Sequence, residues 1–306
     1  MHPWRWPTAR PSADPVIATS GTSGPIPVVM ALLAAGALLL AGCAGGSASG
    51  PSSGAGGTSR AAASPTASSG KGSGGGTEPG SGAGSGGPVA GSPVVVLDPG
   101  HNGGNAAHPA QIGRLVTDGR GGRKPCNTTG TATDAGYPEH AFTFDVARRT
   151  ERALESAGVR VVLTRPDDAG VGPCVDVRGT AGQRADAAAV VSIHADGAAA
   201  SGSGFHVALA APPLNATQAG QAHVLGTALR DAFRGAGFHD STYLGDQGIS
   251  LRPDLAGLNL ATRPAALVEC ANMRNPAEAA VVSSADGRQR YATALATGIV
   301  AYLRHG

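Results

Sequence analysis

Three short apolar runs, Val94–Leu97, Val190–Ile193 and Ala265–Val268, each lead into a residue that can bind a metal or move a proton. The first passes through Asp98, Pro99 and Gly100 to His101, the second meets His194, and the third meets Glu269. Runs of this length and content read as strands buried on both faces of a parallel sheet. In open α/β sheets, ligand sites gather beyond the carboxyl ends of such strands. The run ends are therefore expected to converge on one edge of a sheet.

The segments between the runs alternate helix and strand. Pro138-Glu139 opens a helical pattern through Ala141, Phe142, Val146, Ala147, Thr150 and Leu154, which Gly158 stops. Val159–Thr164 reads as a strand and Arg178–Ala187 as a second helix. Gly204–Leu209 alternates weakly as a strand, Ala219–Ala236 is helical in pattern, and Gly287–Arg304 is a closing helix. This order predicts an α/β fold: a single domain over 93–306 with a mostly parallel or mixed sheet flanked by helices. The stretch from His101 to Pro138 is long for a structureless loop in a compact domain, which points to a functional role at the mouth of a site.

The rest of the chain has a different character. Residues 1–43 read as a lipoprotein-type export signal. Arg5 and Arg10 precede an apolar stretch, Ile26–Leu40, that is too short and too rich in Gly and Ala for a spanning helix. It ends Leu40-Ala41-Gly42-Cys43, similar to the bacterial lipobox, in which the cysteine is lipidated; the alternative is an ordinary secretory signal. Residues 44–92 are almost entirely Gly, Ser, Ala and Pro. They have too little apolar surface to offset chain entropy, so a disordered linker with an r.m.s. span of about 40 Å is expected. An exported protein facing the cell wall, membrane-anchored if Cys43 is lipidated and otherwise secreted, follows from that leader. The net charge of +2 and the 4% aromatic content make no case for nucleic acid. A monomer is expected.

Of the remaining cysteines, Cys126 and Cys174 lie in Gly/Pro-rich loop sequence and Cys270 follows Glu269. Outside the cytoplasm disulfides form and persist. The expected pair is Cys126–Cys174, with Cys270 a buried thiol.

Catalytic zinc takes three protein ligands and leaves one position for water. His101 and His194 supply two nitrogens. Glu139, at the helix start after the long loop, is the best third ligand, with His140 beside it as the rival. A further carboxylate near the metal serves as general base. Glu269 fits that role, against the plainer one of pairing with Arg263 or Arg274. Asp98 is a candidate to orient His101, and Asn272 a candidate to hold substrate. Arg178 and Arg184 either solvate a helix or pair with carboxylates. His108, His206, His223 and His239 carry no such support.

Taken in order, Asp98-Pro99-Gly100-His101, a Glu before a long amphipathic helix, Val161-Val162-Leu163-Thr164-Arg165, Ser192-Ile193-His194-Ala195-Asp196 and Leu267-Val268-Glu269 resemble the zinc-dependent N-acetylmuramoyl-L-alanine amidases of bacterial cell-wall metabolism (the amidase-3 type). The stretches Arg252–Leu260 and Glu269–Asn275 and the loop cysteines are similar to the actinobacterial branch. The resemblance covers nearly all of residues 93–304 and implies a twisted sheet of about six strands flanked by helices. It implies Zn2+ on His101, Glu139 and His194, with Glu269 as catalytic acid/base. The implied substrate is peptidoglycan or a muropeptide, cut at the amide between muramic acid and L-alanine. A noncatalytic peptidoglycan-binding lipoprotein and a zinc peptidase acting within the stem peptide are the competing readings. Two features depart from the family pattern: Asn102 stands where a glycine commonly follows the first His, and the gap from His101 to Glu139 is long.

Overall fold

The computed structural model describes residues 91–305. The export signal, Cys43 and nearly all of the 44–92 linker lie outside the described residues.

The described residues begin with β1 (Val94–Pro99), followed by a 3-10 turn (Asn105–Ala107), α1 (Pro109–Gly113), β2 (Leu115–Thr117) and β3 (Arg123–Pro125). Next come α2 (Glu139–Ser156), β4 (Arg160–Leu163), α3 (Val175–Gly179), α4 (Ala181–Arg184) and β5 (Ala189–Asp196). Then follow β6 (His206–Ala210), α5 (Ala216–Ala219), α6 (Gln221–Gly235), β7 (Ile249–Arg252) and α7 (Ala256–Asn259). The described chain closes with β8 (Ala265–Asn272), α8 (Pro276–Ser283) and α9 (Ala285–His305).

The main sheet has six strands in the order β4-β1-β5-β8-β6-β7. β4, β1, β5 and β8 run parallel, whereas β6 pairs antiparallel with β8 and parallel with β7. The sheet is therefore mixed, and the chain leaves β1 for β4 on one side and β5 on the other. That reversal of winding leaves a crevice beyond the carboxyl ends of β1 and β5.

Strand alternation sorts side chains onto two faces. Val95, Leu97, Val191, Ile193, Val207, Leu209 and Val268 face one core, where α2, α6 and α9 cover them. α2 presents Phe142, Val146, Ala147, Thr150 and Leu154 to it, a spacing that marks one stripe of a helix. Val94, Val96, Val190, Ala208, Ala265 and Leu267 face a smaller second core with Ala181 and Leu258. Asp98, Ser192, His194, His206 and Glu269 continue the alternation on this second face.

Two expectations change here. Arg178–Ala187 is not one helix but two short pieces, α3 and α4, meeting at Thr180. The 101–138 segment is ordered: it carries the 3-10 turn, α1 and the β2–β3 hairpin. Cys126 and Cys174 form a disulfide that ties this segment to the start of α3, and Cys270 is a buried free thiol. Val175 N–H donates to the Cys126 carbonyl at 2.8 Å and Asn127 Nδ2 donates to the Pro173 carbonyl at 2.8 Å, so the staple is reinforced on both sides.

Candidate active site

His101 sits one residue beyond Gly100, at the turn out of β1, with φ of 57°. That left-handed conformation is uncommon for a residue with a Cβ and needs support from its surroundings. Two buried arginines supply it. Arg178 donates to Pro99 O and His101 O, each at 2.7 Å, and to Gly172 O at 3.0 Å. Arg165 donates to Pro99 O at 3.0 Å and to His140 O at 2.8 Å. Thr143 adds a hydroxyl bond to Gly100 O at 2.8 Å.

Asp98 is the counter-charge of this clamp. Its carboxylate accepts from Arg178 Nη1 at 2.7 Å, Thr164 Oγ1 at 2.5 Å and Ser192 Oγ at 2.7 Å. Burial alone would raise its pKa, but the Arg178 charge and the two hydroxyls outweigh it and hold the group below the usual carboxylate range. Asp98 therefore does not orient the His101 ring, as the sequence suggested. It anchors Arg178, which holds the His101 backbone. The ring is oriented instead by Thr128, whose carbonyl lies 3.1 Å and whose hydroxyl lies 3.2 Å from Nδ1.

Glu139 opens α2 and is buried between the two histidines. Its Oε2 is 3.1 Å from His101 Nε2 and its Oε1 is 2.9 Å from His194 Nδ1. Each oxygen also accepts a backbone bond, Oε2 from Thr131 N at 2.9 Å and Oε1 from Ala195 N at 3.2 Å. Glu139 N–H in turn donates to Thr131 O at 2.9 Å, so the loop and the helix start latch reciprocally. Burial pushes the Glu139 carboxyl up, yet the charges and hydrogen bonds of His101 and His194 outweigh it and hold the group far below its ordinary value. His101 is raised: burial would lower it, and the Glu139 charge prevails. His140 is turned away from this group, its Nδ1 lying 2.8 Å from Asp168.

Ligand atoms of His101, Glu139 and His194 all lie within 4.8 Å of one another. Two imidazoles facing one carboxylate need positive charge between them, carried by protons or by a cation. Two glycines make room for the group. A Cβ on Gly100 would stand 2.2 Å from His194 Cε1. A Cβ on Gly130 (φ +79°) would stand 2.8 Å from Glu139 Oε2 and 2.9 Å from His101 Cδ2.

His194 and Glu269 lie within their strands rather than at the ends. β5 runs on to Asp196 and β8 to Asn272, and His194 and Glu269 are register partners across the parallel pair. The apolar runs stop at Ile193 and Val268 only because alternate side chains beyond them face the site. Burial, together with the Glu139 and Asp196 charges, pushes the Glu269 carboxyl well above its ordinary value, opposed weakly by Arg252. Its Oε2 is buried without a hydrogen-bond partner among the described residues. Neither Arg263 nor Arg274 pairs with it: Arg263 bonds Asp186 and Arg274 bonds Asp134.

Asn272 is corrected as a substrate-holding candidate. It is fully buried, and its side chain is consumed by Ala198 N, Arg274 N, Ala199 O and Gly202 O. It pins the loop after β5 to the end of β8.

A cleft of about 520 Å³ opens over this face of the sheet, with His101, Glu139, His194 and Glu269 in its lining. Lys124, Asn127 and Thr128 of the stapled loop form one wall, and Leu255–Leu258 form the other. Arg120 bridges the walls, donating to Pro253 O at 2.9 Å and to Asn259 Oδ1 at 3.0 Å.

The family model for N-acetylmuramoyl-L-alanine amidases of the Amidase_3 type matches residues 95–301. The chain belongs to this family. The amidase is 50% identical over 210 residues to N-acetylmuramoyl-L-alanine amidase Rv3717 of Mycobacterium tuberculosis, covering 69% of this chain and 86% of that protein. Its fold matches the crystal structure of the amidase Ami1 from Mycobacterium smegmatis with a TM-score of 0.68 and 48% identity, over 70% of this chain and 98% of the other. The apo form of Ami1 from Mycobacterium abscessus matches with a TM-score of 0.67 and 48% identity, over 69% and 98% of the two chains. The family match, residues 95–301, takes in all of the described sheet but Val94, so the cleft above belongs to the family's domain.

Two elements of the site were not legible as such. Nothing local to Arg165, two residues beyond β4, signals its role. The place of His206 beside Glu269 comes from an antiparallel register that no local pattern reveals.

Proposed function

We propose that this cell-wall amidase is zinc-dependent and hydrolyses the amide between the muramic acid lactyl group and the L-alanine of the stem peptide. His101, Glu139 and His194 would hold the ion, and Glu269 would act as acid/base. The observation that carries this reading is the convergence of two imidazoles and a buried carboxylate beside a second carboxyl that is not part of the trio.

The donor set suits zinc. Imidazole nitrogen and carboxylate oxygen in a group of three is the usual composition of a catalytic site. The Thr128 carbonyl 3.1 Å from His101 Nδ1 holds the Nδ1–H tautomer, which turns the Nε2 lone pair toward Glu139. A zinc ion held there would polarise the scissile carbonyl and lower the pKa of the attacking water to about 7.

The chain's own groups do the remaining work. The cleft walls hold the substrate with its carbonyl toward the trio. Glu269 takes the proton of the attacking water and holds it until the nitrogen leaves. It then delivers the proton to the departing L-alanine amine.

The export reading accompanies this function. A lipid-anchored or secreted enzyme would reach peptidoglycan through residues 44–92. No helix of the described residues is long and apolar enough to cross a membrane.

Digestion of purified peptidoglycan with and without a chelator tests the proposal. Intact stem peptides bearing a free L-alanine amine, released only without chelator and restored by zinc, are the expected products. Fragments cut between amino acids would establish the peptidase instead. Binding without release by folded, zinc-supplied protein would establish the noncatalytic module.

A further inference from the structure

His101 has two neighbours at Nδ1, and they constrain the ring differently. The Thr128 hydroxyl, at 3.2 Å, can donate or accept and so suits either tautomer. The Thr128 carbonyl, at 3.1 Å, can only accept and so requires Nδ1–H, which leaves the Nε2 lone pair facing Glu139. The placement of one carbonyl therefore decides which nitrogen a metal meets.

That carbonyl lies on a loop with little hold of its own. Thr128 and Thr129 are exposed, and Gly130 follows in the left-handed region at φ of 79°. Turned over, the peptide between Thr128 and Thr129 would aim an N–H at the ring and select the other tautomer. Two asparagines oppose this. Asn127 Oδ1 accepts from Thr128 N at 2.8 Å, and Asn105 Nδ2 donates to Thr128 O at 2.8 Å.

Asn105 is the buried member of the pair. It is fully enclosed at the start of the 3-10 turn, and its Oδ1 accepts from Gly172 N at 2.9 Å. These partners fix the amide one way round, since a carbonyl needs a donor and an N–H an acceptor. Its backbone is tied as well: its N–H donates to Asn102 O at 3.1 Å, and its carbonyl accepts from His108 N at 3.0 Å. The two lone pairs of the Thr128 oxygen are thus shared between His101 and Asn105. Asn105 is not part of the cleft lining, so it meets the site only through Thr128.

We propose that Asn105 is a positioning residue for the metal centre: through the Thr128 carbonyl it fixes the tautomer and orientation of the His101 ring, with Nε2 toward Glu139. The inference rests on the reading of His101, Glu139 and His194 as zinc ligands.

The test uses the full chain carrying Asn105→Ala, with Asn102→Ala as the structural control. Asn102 is also buried and its Nδ2 donates to Gly172 O at 3.0 Å, but it makes no bond to Thr128. Zinc affinity is read by competition with a chromogenic chelator, and the His101 Nδ1–H proton by NMR of the zinc-loaded protein. Asn105→Ala should weaken zinc about 10- to 100-fold and speed exchange of the Nδ1–H proton with water, while KM for a soluble muropeptide holds. Asn102→Ala should lose Tm to a similar extent yet keep zinc affinity within about twofold of the parent. Parent-like zinc affinity in Asn105→Ala overturns the inference, and so does an equal loss in Asn102→Ala. If Asn105→Ala does not fold, the zinc-loaded parent decides. A nuclear Overhauser effect between His101 Nδ1–H and the Asn105 amide protons is expected; its absence, or a His101 bound through Nδ1, overturns the inference. A parent that takes up no zinc defeats the reading of the trio itself, whereas tight binding by both parent and Asn105→Ala defeats only the role of Asn105.

Discussion

Gly100→Ala adds one methyl group at the tightest point of the site. The new Cβ would lie 2.2 Å from Cε1, 2.5 Å from Nε2 and 2.6 Å from Nδ1 of His194. An ordinary carbon contact is about 3.5 Å, so the ring must retreat by about 1.3 Å. Its freedom to do so is small, because Nδ1 lies 2.9 Å from Glu139, itself held by backbone bonds from Thr131 and Ala195. Overpacking of this kind costs about 1–3 kcal/mol in stability. A misplacement of about 1 Å at a reacting centre costs about a hundredfold in rate. Gly100→Ala should therefore fold with a modestly lowered Tm, bind zinc weakly and lose about two orders of magnitude in kcat/KM. Gly113→Ala is the control, since nothing lies within 4 Å of its added Cβ. Zinc titration, calorimetry and muropeptide release measure the three effects. Parent zinc affinity together with turnover within about twofold would show that the glycine is not there to admit the ring.

Glu269→Gln should keep one zinc per chain and lose about 10²–10⁴ in kcat, whereas His194→Ala should lose the metal and with it any zinc-induced rise in Tm. Replacing Cys126 and Cys174 together by serine should lower unfolding free energy by up to about 4 kcal/mol, read by urea titration, from a closed loop spanning 48 residues. Arg178→Met should cost about 3–5 kcal/mol, because it strands the buried Asp98 carboxylate. It should also reverse the pH dependence of that group. In the parent, Asp98 has a folded pKa below its unfolded value, so its contribution is complete above about pH 4 and lost as pH falls through the folded value. Without Arg178, burial raises the folded value, and the midpoint of acid unfolding followed by circular dichroism should move to higher pH.

Much of this site was legible because its chemistry sits on buried strands. Val94–Leu97 and Ala265–Val268 are apolar on both faces and Val190–Ile193 is so but for Ser192, so they stand out as runs, and each break in apolarity marks a residue that faces the cleft. The same breaks misled about length, since Ser192, His194 and Asp196 alternate with Ile193 and Ala195 along one continuing strand. β7 escaped notice because an edge strand with Leu251 and Arg252 exposed or half-exposed carries no apolar run. The β2–β3 hairpin is tied to its surroundings by the Cys126 staple and by Arg120 and Lys124 reaching the far wall, interactions with no local signature. Arg178 could have been a surface charge by its spacing; Asp98, 80 residues earlier in the chain, and the carbonyls of Pro99 and His101 make it internal.

The row of His194, Glu269 and His206 spans three adjacent strands, so its spacing is inherited from the ladders of the sheet. The cleft walls, by contrast, are built from segments that hang on a disulfide and a few side-chain bridges. Substrate preference can therefore drift, or be engineered, by exchanging the hairpin 115–125 and the wall 253–258 while the hydrolytic centre stays in tune. The architecture separates what the enzyme recognises from how it cuts.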